Sequence, residues 1–261
     1  MTGYCNIPGA RLYFKKIGKG PPIIFIHGFC LDHRMWENQL NFFSDSFTSL
    51  AVDLRGYGNS SYPTDKIYSH YEDINALLDI LQINQAAILV GLSMGARVVA
   101  DYALAYPQKT KAAVFVDGVI DGYVFKDFNL SYIYKLGKDE GVLAANKMWL
   151  NHPLFGPARK NPATATLLAK MLMSYSGWHW INKNPVKGLH PPALEQVQNL
   201  VVPTLIITGQ YDAPDFQDIA QILHSKINHS SKKEIAGAGH MCNMEKPAVF
   251  NQILKEFLTK S

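Results

Sequence analysis

The pentapeptide Gly91-Leu92-Ser93-Met94-Gly95 is the segment that most constrains the fold of this chain. It follows the apolar run 86–90 and precedes the helix-prone residues 96–100, which predicts a sharp turn from a strand into a helix. Such a turn strains the backbone of its central residue, and side chains at positions 91 and 95 would collide with the strand and helix packed beside them. The sequence therefore predicts that Ser93 projects from the edge of a sheet.

Short apolar runs recur along the chain and predict the sheet itself. Residues 4–7 and 11–17 flank a Pro-Gly pair and indicate an antiparallel hairpin. Continuous apolar runs are typical of strands buried on both faces of a parallel sheet, and they occur at 23–26, 50–52, 88–90, 113–116 and 205–207. Apolar residues recur at helical spacing over 71–81, between two of these strands, and over 249–258, after the last of them. We therefore expect a doubly wound α/β sheet.

The alternation stops between about residues 118 and 200, where the chain predicts helices without buried strands. Asn161 and Pro162 are typical of a helix start, and another helix is expected over 141–150. An insertion of helices at this place would cover the carboxyl ends of the strands, where α/β sheets bind ligands. The segment is rich in aromatic and methionine side chains, most of which we interpret as its own core.

An activated serine needs a base within hydrogen-bond reach and an acid that orients the base. Asp212 comes directly after the predicted strand 205–209, and His240 lies in a glycine-rich loop after a last strand at 233–236. Each candidate therefore follows a strand, in the order serine, aspartate, histidine. Asp117 also follows a predicted strand and is an alternative acid, although we favour Asp212.

These motifs resemble the α/β-hydrolase fold superfamily, in its branch of serine esterases, enol-lactonases and cofactor-free haloperoxidases. The segment 27–29, His-Gly-Phe, is similar to the family's oxyanion loop after the third strand, and 53–60 is similar to its Asp-x-Arg-Gly-x-Gly-x-Ser loop. The resemblance implies a mostly parallel, eight-stranded, doubly wound sheet with a helical cap inserted after the sixth strand. The core would comprise 1–118 and 200–261, and the cap 119–199.

The resemblance also implies a role for each candidate site residue. Ser93 would be the nucleophile, His240 the general base and Asp212 the acid that orients it. The backbone N–H groups of Phe29 and Met94 would form the oxyanion hole. Removing one such donor typically costs about 3 kcal/mol of transition-state stabilisation.

Other residues of the same motifs have structural interpretations. We expect His27, Asp53 and Arg55 to hold their loops through hydrogen bonds rather than to take part in chemistry. Cys30 stands where relatives often have proline, so either the oxyanion loop is less rigid or the thiol lines the pocket.

We expect neither a metal nor a cofactor. The histidines of the helical insertion, His152, His179 and His190, lack metal-ligand spacing and are interpreted as solvated or core residues. Gly56 and Gly58 are not followed by the third glycine of a dinucleotide-binding loop.

Composition limits the possible partners and compartment. The 25 basic and 21 acidic residues give a net charge of +4 without any basic run, which makes nucleic acid an unexpected partner. The three cysteines are widely spaced and odd in number, which favours free thiols and a cytoplasmic location. No stretch approaches the roughly 20 apolar residues that cross a bilayer.

Serine at the turn indicates the type of reaction. Haloalkane dehalogenases and soluble epoxide hydrolases of the resembled fold use aspartate there, whereas serine points to attack on an acyl carbon. We therefore predict hydrolysis of a small or medium carboxylic ester or lactone through an acyl-enzyme. The alternatives are a carbon–carbon bond hydrolase, a perhydrolase or haloperoxidase on the same triad, and a non-catalytic protein that binds small molecules.

Overall fold

The computed structural model describes residues 1–260 and contains an eight-stranded sheet. Its strands are β1 (Thr2–Ile7), β2 (Ala10–Ile17), β3 (Pro22–Ile26), β4 (Thr48–Val52), β5 (Ala87–Leu92), β6 (Thr110–Val116), β7 (Thr204–Gly209) and β8 (Ser230–Ile235). Their order across the sheet is β1-β2-β4-β3-β5-β6-β7-β8. β1 and β2 form an antiparallel hairpin and β2 pairs antiparallel with β4, whereas the remaining pairs are parallel. The predicted hairpin and mostly parallel sheet are confirmed.

The helices are α1 (Glu37–Phe43), α2 (His70–Ile80), α3 (Met94–Ala105), α4 (Ser131–Asp139), α5 (Val142–Leu150), α6 (Gly156–Lys160), α7 (Pro162–Ser174), α8 (Trp178–Ile181), α9 (Pro214–Lys226), α10 (Cys242–Glu245) and α11 (Pro247–Leu258). Five of them, α4 to α8, lie between β6 and β7, where the described chain contains no strand. The predicted insertion of helices after the sixth strand is confirmed. None of the helices within residues 1–260 has both the length and the apolar composition needed to cross a membrane.

Burial explains which strands are easiest to recognise in the sequence. Every residue of β3, β5 and β7 is buried, as expected for strands covered on both faces. β8 lies at the edge of the sheet, and its sequence Ser-Ser-Lys-Lys-Glu-Ile is mostly accessible. Charged residues are typical of an edge strand, because they discourage pairing with another chain. The apolar pattern therefore predicted only the second half of β8.

Local capping explains the start of α7 in the cap. The Asn161 side chain accepts hydrogen bonds from the N–H groups of Ala163 (3.1 Å) and Thr164 (3.3 Å), and Pro162 occupies the first helical position. These bonds satisfy donors that have no partner inside the helix. The predicted helix start is confirmed.

A buried ion pair joins the loop after β4 to α2 and to the opening hairpin. Arg55 Nη2 and Nε donate to the two carboxylate oxygens of Asp73 at 2.6 and 3.0 Å, and Nη1 donates to the Gly9 carbonyl at 3.1 Å. Nearby, Asp53 accepts the N–H of Asn59, and His27 Nε2 accepts the N–H of Leu54. The structural roles expected for Arg55, Asp53 and His27 are thus confirmed.

We expect Asp73→Asn to lower the free energy of unfolding by about 3 kcal/mol, because it leaves the buried Arg55 without its counter-ion. Urea denaturation followed by circular dichroism measures this loss. Asp79→Asn is the matched control, since Asp79 lies on the same helix but forms an exposed pair with Lys109, worth about 0.5 kcal/mol. Equal losses in the two variants would contradict the assigned role of Arg55.

Candidate active site

Ser93 stands at the turn from β5 into α3 with a strained backbone. Its φ of 53° and ψ of −115° lie in a region that residues with side chains rarely adopt. A Cβ atom at Gly91 would lie 2.2 Å from the Gly95 carbonyl oxygen, and one at Gly95 would lie 2.2 Å from the Ile26 carbonyl oxygen. The collisions expected from the sequence are confirmed, and they show why both positions require glycine.

Hydrogen bonds to the neighbouring strand hold this turn in place. The Ser93 N–H donates to the Val116 carbonyl at 2.9 Å, and the Ser93 carbonyl accepts the N–H groups of Ala96 (3.0 Å) and Val119 (3.2 Å). Residues at and just beyond the end of β6 therefore bond both the N–H and the carbonyl of the strained residue.

His240 is held by Asp212 at the ends of the last two strands. The imidazole Nδ1 lies 3.0 Å from both carboxylate oxygens of Asp212, and both residues are buried. Glu245 accepts the N–H groups of Gly239 (2.8 Å) and Met241 (3.0 Å), on either side of His240 in the chain. The imidazole is thereby oriented through its carboxylate and through its own loop.

Asp117, the alternative acid, has a different partner. Its Oδ1 accepts the Gly209 N–H at 2.8 Å, and no hydrogen bond joins it to His240 in the described chain. Burial, together with the negative charge of Asp212, raises the pKa of Asp117 well above its ordinary value. Burial therefore disfavours ionisation of Asp117, and Asp212 is the carboxylate that pairs with the imidazole.

Ser93, His240, Phe29 and Met94 line a common cavity of about 420 Å³. Cys30 has a φ of 61° and is buried outside the lining of this cavity, where burial raises the pKa of its thiol well above the ordinary value. Of the two expectations for Cys30, a thiol that lines the catalytic cavity does not hold, since Cys30 is not among its lining residues.

Aromatic side chains from the core and the cap form the apolar wall of the cavity. The ring of Phe29 packs edge-on against that of Trp180, with the two ring centroids 5.1 Å apart. The ring centroids of Trp149 and Tyr134 lie 6.4 and 6.5 Å from that of Phe29. Trp149 and Tyr134 also line the cavity, whereas Trp180 is completely buried. The cap aromatics thus serve both as a core and as a wall for a ligand.

A polar end of the cavity was not predicted from the sequence. His70, Arg97 and Asp121 line it, and they come from α2, α3 and the chain after β6. Arg97 follows Ser93 by four residues, a spacing that places two residues on one face of a helix. This spacing is the sequence feature that could have predicted Arg97 in the cavity. His70 and Asp121 have no such local signal, since only the tertiary fold brings them to the cavity.

Comparisons with known proteins identify the family of the chain. A family model described as the alpha/beta hydrolase fold matches residues 21–247. The chain belongs to this family. The α/β-hydrolase match extends from β3 to the start of α11 and includes every candidate site residue, and it supports hydrolase activity.

Individual relatives are distant. The chain is 25% identical to bifunctional epoxide hydrolase 2 of Sus scrofa, over 98% of this chain and 55% of that protein. It therefore spans about half the length of the mammalian epoxide hydrolases that it matches. It is 27% identical to the AB hydrolase superfamily protein YisY of Bacillus subtilis, over 94% of both chains. The enol-lactonase from Burkholderia xenovorans LB400 superposes with a TM-score of 0.83 at 21% identity, covering 98% of this chain and all of that one.

One cluster has the composition of a metal site but is satisfied by the chain itself. Ligand atoms of Asp32, His33 and Asp53 lie within 4.8 Å of one another. Arg34 Nη2 donates to Asp32 at 2.6 Å, and Asp53 Oδ1 accepts both the N–H (2.7 Å) and Nδ1 (2.8 Å) of His33. The carboxylates therefore already have cationic and N–H partners.

The carboxylate of Asp215, at the start of α9, anchors the chain that leads into the cap. It accepts the N–H groups of Lys126, Asp127 and Phe128 at 2.8–3.0 Å and the Tyr123 hydroxyl at 3.0 Å. Burial raises the pKa of this carboxyl, but the three backbone hydrogen bonds outweigh burial and lower the pKa to about 2. The aromatic residues of this segment are thereby held against the cavity.

We expect Asp215→Asn to destabilise the protein by about 2 kcal/mol at pH 7, because an amide cannot accept all these hydrogen bonds. The low pKa of Asp215 in the folded state means that its contribution is present above pH ~4 and is lost as the pH falls towards about 2. The difference in unfolding free energy between wild type and variant should shrink over that range.

Asp218→Asn provides the control for this measurement. Asp218 lies on the same helix and forms an exposed pair with Lys126, so its removal should leave the free energy of unfolding almost unchanged over the same pH range. A difference for Asp215→Asn that stays constant from pH 7 to pH 2 would show that the carboxylate is not the anchor.

Proposed function

We propose that this α/β-hydrolase cleaves a small or medium carboxylic ester or lactone through an acyl-enzyme. The observation that carries the proposal is an imidazole, His240, held by the buried carboxylate of Asp212 and facing the same cavity as the strained Ser93. In this proposal residues 119–199 act as the cap, over a core formed by 1–118 and 200–261.

Each residue has a defined step in the proposed reaction. The Ser93 hydroxyl oxygen attacks the acyl carbon while its proton moves to His240 Nε2, and Asp212 stabilises the resulting imidazolium through Nδ1–H. The N–H groups of Phe29 and Met94 donate to the oxyanion of the tetrahedral intermediate. His240 then protonates the leaving alcohol, and water attacks the acyl-enzyme with His240 again acting as base.

Two observations support acyl transfer over opening of an epoxide. The turn after β5 presents a serine, and the resembled epoxide hydrolases use aspartate at that position. The apolar wall formed around Phe29 excludes water from the acyl carbon and suits a substrate of modest size. The similarity of fold to an enol-lactonase makes a lactone a reasonable substrate to test alongside esters.

Ser93→Ala should lower kcat/KM for p-nitrophenyl butyrate by at least about 10⁴-fold, since the nucleophile is removed. Release of p-nitrophenolate measures this loss. A fluorophosphonate should label wild type at the peptide containing Ser93 and should leave the variant unlabelled. Turnover of a diketone with no turnover of esters or lactones would replace the proposal with carbon–carbon bond hydrolysis, and binding without any turnover would indicate a ligand-binding protein.

Asp212→Asn should reduce kcat by about 10⁴-fold, because the amide favours the wrong imidazole tautomer. Asp117→Asn is the matched variant, since it places the same neutral side chain at the end of the adjacent strand. Because Asp117 accepts the Gly209 N–H and makes no hydrogen bond to His240, we expect its substitution to change kcat by less than about tenfold. The opposite order of effects would identify Asp117 as the acid.

A further inference from the structure

The polar end of the catalytic cavity contains a cation close to the nucleophile. Arg97 lies one turn beyond Ser93 on α3, which corresponds to a rise of about 6 Å along the helix axis. Both residues line the same cavity. The mechanism proposed above gives Arg97 no role, so its presence in the cavity calls for a separate explanation.

The guanidinium of Arg97 keeps hydrogen-bond donors available. Its Nε lies 2.8 Å from Asp121 Oδ2, and within residues 1–260 Asp121 is its one carboxylate partner within 4 Å. A guanidinium has five N–H donors, whereas a carboxylate engages two of them in a bidentate pair. The side chain is about one-quarter exposed, and its remaining donors can reach a ligand in the cavity.

Neutral groups that line the same cavity as Arg97 offer further polar contacts. His70 is 94% buried, lines the cavity, and its Nδ1 has no hydrogen-bond partner in the described chain. Burial and then the positive charge of Arg97 lower the pKa of His70 well below its ordinary value, so the imidazole is neutral. Asn184 uses its Oδ1 to accept the Tyr68 hydroxyl at 3.0 Å, which leaves its amide N–H groups as donors.

The second acidic residue near Arg97 is only partly ionised at neutral pH. Asp101 is buried on the same helix and is not within 4 Å of Arg97. Burial and then the charge of Asp121 raise the pKa of Asp101 to about 7. Arg97 therefore pairs directly with one carboxylate, which leaves further N–H donors of its guanidinium for a ligand in the cavity.

We propose that this cluster, formed by Arg97, His70 and Asn184, is a subsite for a carboxylate of the substrate. The preferred substrates are then short esters or lactones that carry a second, ionised carboxyl group a few bonds from the scissile carbonyl. This inference rests on the proposed function, since it specifies the substrate class of the same site. A guanidinium edge recognises a carboxylate through two parallel hydrogen bonds, which neutral esters cannot supply.

Two pairs of esters test the subsite with equal chain length inside each pair. Mono-p-nitrophenyl glutarate and its methyl ester differ by a charge in the acyl part, and 3-butyryloxypropanoate and its methyl ester differ by a charge in the alcohol part. We expect wild type to favour the anionic member of at least one pair by about tenfold or more in kcat/KM. Arg97→Gln should bring that ratio to within about twofold of one.

The ratio of kcat/KM for the anionic and the neutral ester is insensitive to incomplete folding of the variant, because both esters are measured on one preparation. Arg11→Gln is the control for net charge, since Arg11 lies over the Tyr4 ring on the opening hairpin, outside the cavity lining. It should keep the wild-type ratio. Equal turnover of anionic and neutral esters by wild type, or a preference that persists in Arg97→Gln, would overturn the subsite while leaving the proposed ester hydrolysis intact.

A binding measurement separates the subsite from the proposed chemistry. Calorimetric titration of glutarate into the Ser93→Ala variant requires no turnover. Adding Arg97→Gln to that variant should raise the dissociation constant of glutarate by about tenfold or more. Failure of wild type to hydrolyse any ester or lactone would reject the proposed function, and the titration alone would then decide the subsite. Equal affinity of glutarate for the single and double variants would reject the subsite.

Discussion

The close approach of three backbone segments at the turn after β5 is the constraint on which the rest of the site depends. Gly91 and Gly95 leave no space for a Cβ, so α3 lies directly against the carbonyl of Ile26 at the end of β3. This contact sets both the strained conformation of Ser93 and the position of the helix N-terminus. The loop after β3, which carries Phe29, is therefore brought beside the serine by the same packing.

Carboxylates gathered at the ends of the strands take separate partners, and this separation defines the site. The carboxylate of Asp212 pairs with the imidazole of His240, and that of Asp117 accepts the Gly209 N–H. The carboxylate of Asp215 accepts backbone N–H groups of the chain that leads into the helical insertion. Two ionised carboxylates close together in a buried site repel each other, and the charge of Asp212 is one cause of the raised pKa of Asp117.

The cavity combines two environments that suit different parts of one small molecule. Phe29 is in contact with the aromatic residues of the cap, so the loop proposed to stabilise the oxyanion is supported by the segment that encloses the substrate. At the other end, Arg97 supplies charge within one helical turn of Ser93. The apolar wall would exclude water from the acyl carbon, and the charged end would set the orientation of the substrate.

The sequence by itself determined the sheet, the helical insertion and the candidates Ser93, Asp212 and His240, because apolar periodicity, glycine sterics and strand-end positions are local signals. It left Asp117 as a possible acid, since both aspartates follow strands, and it missed the polar first half of β8 and the group of His70, Arg97 and Asp121. Only the tertiary structure decided which carboxylate contacts the imidazole and which polar side chains share the cavity. Hydrogen-bond partners and pKa shifts depend on distance and burial between segments that are remote in sequence.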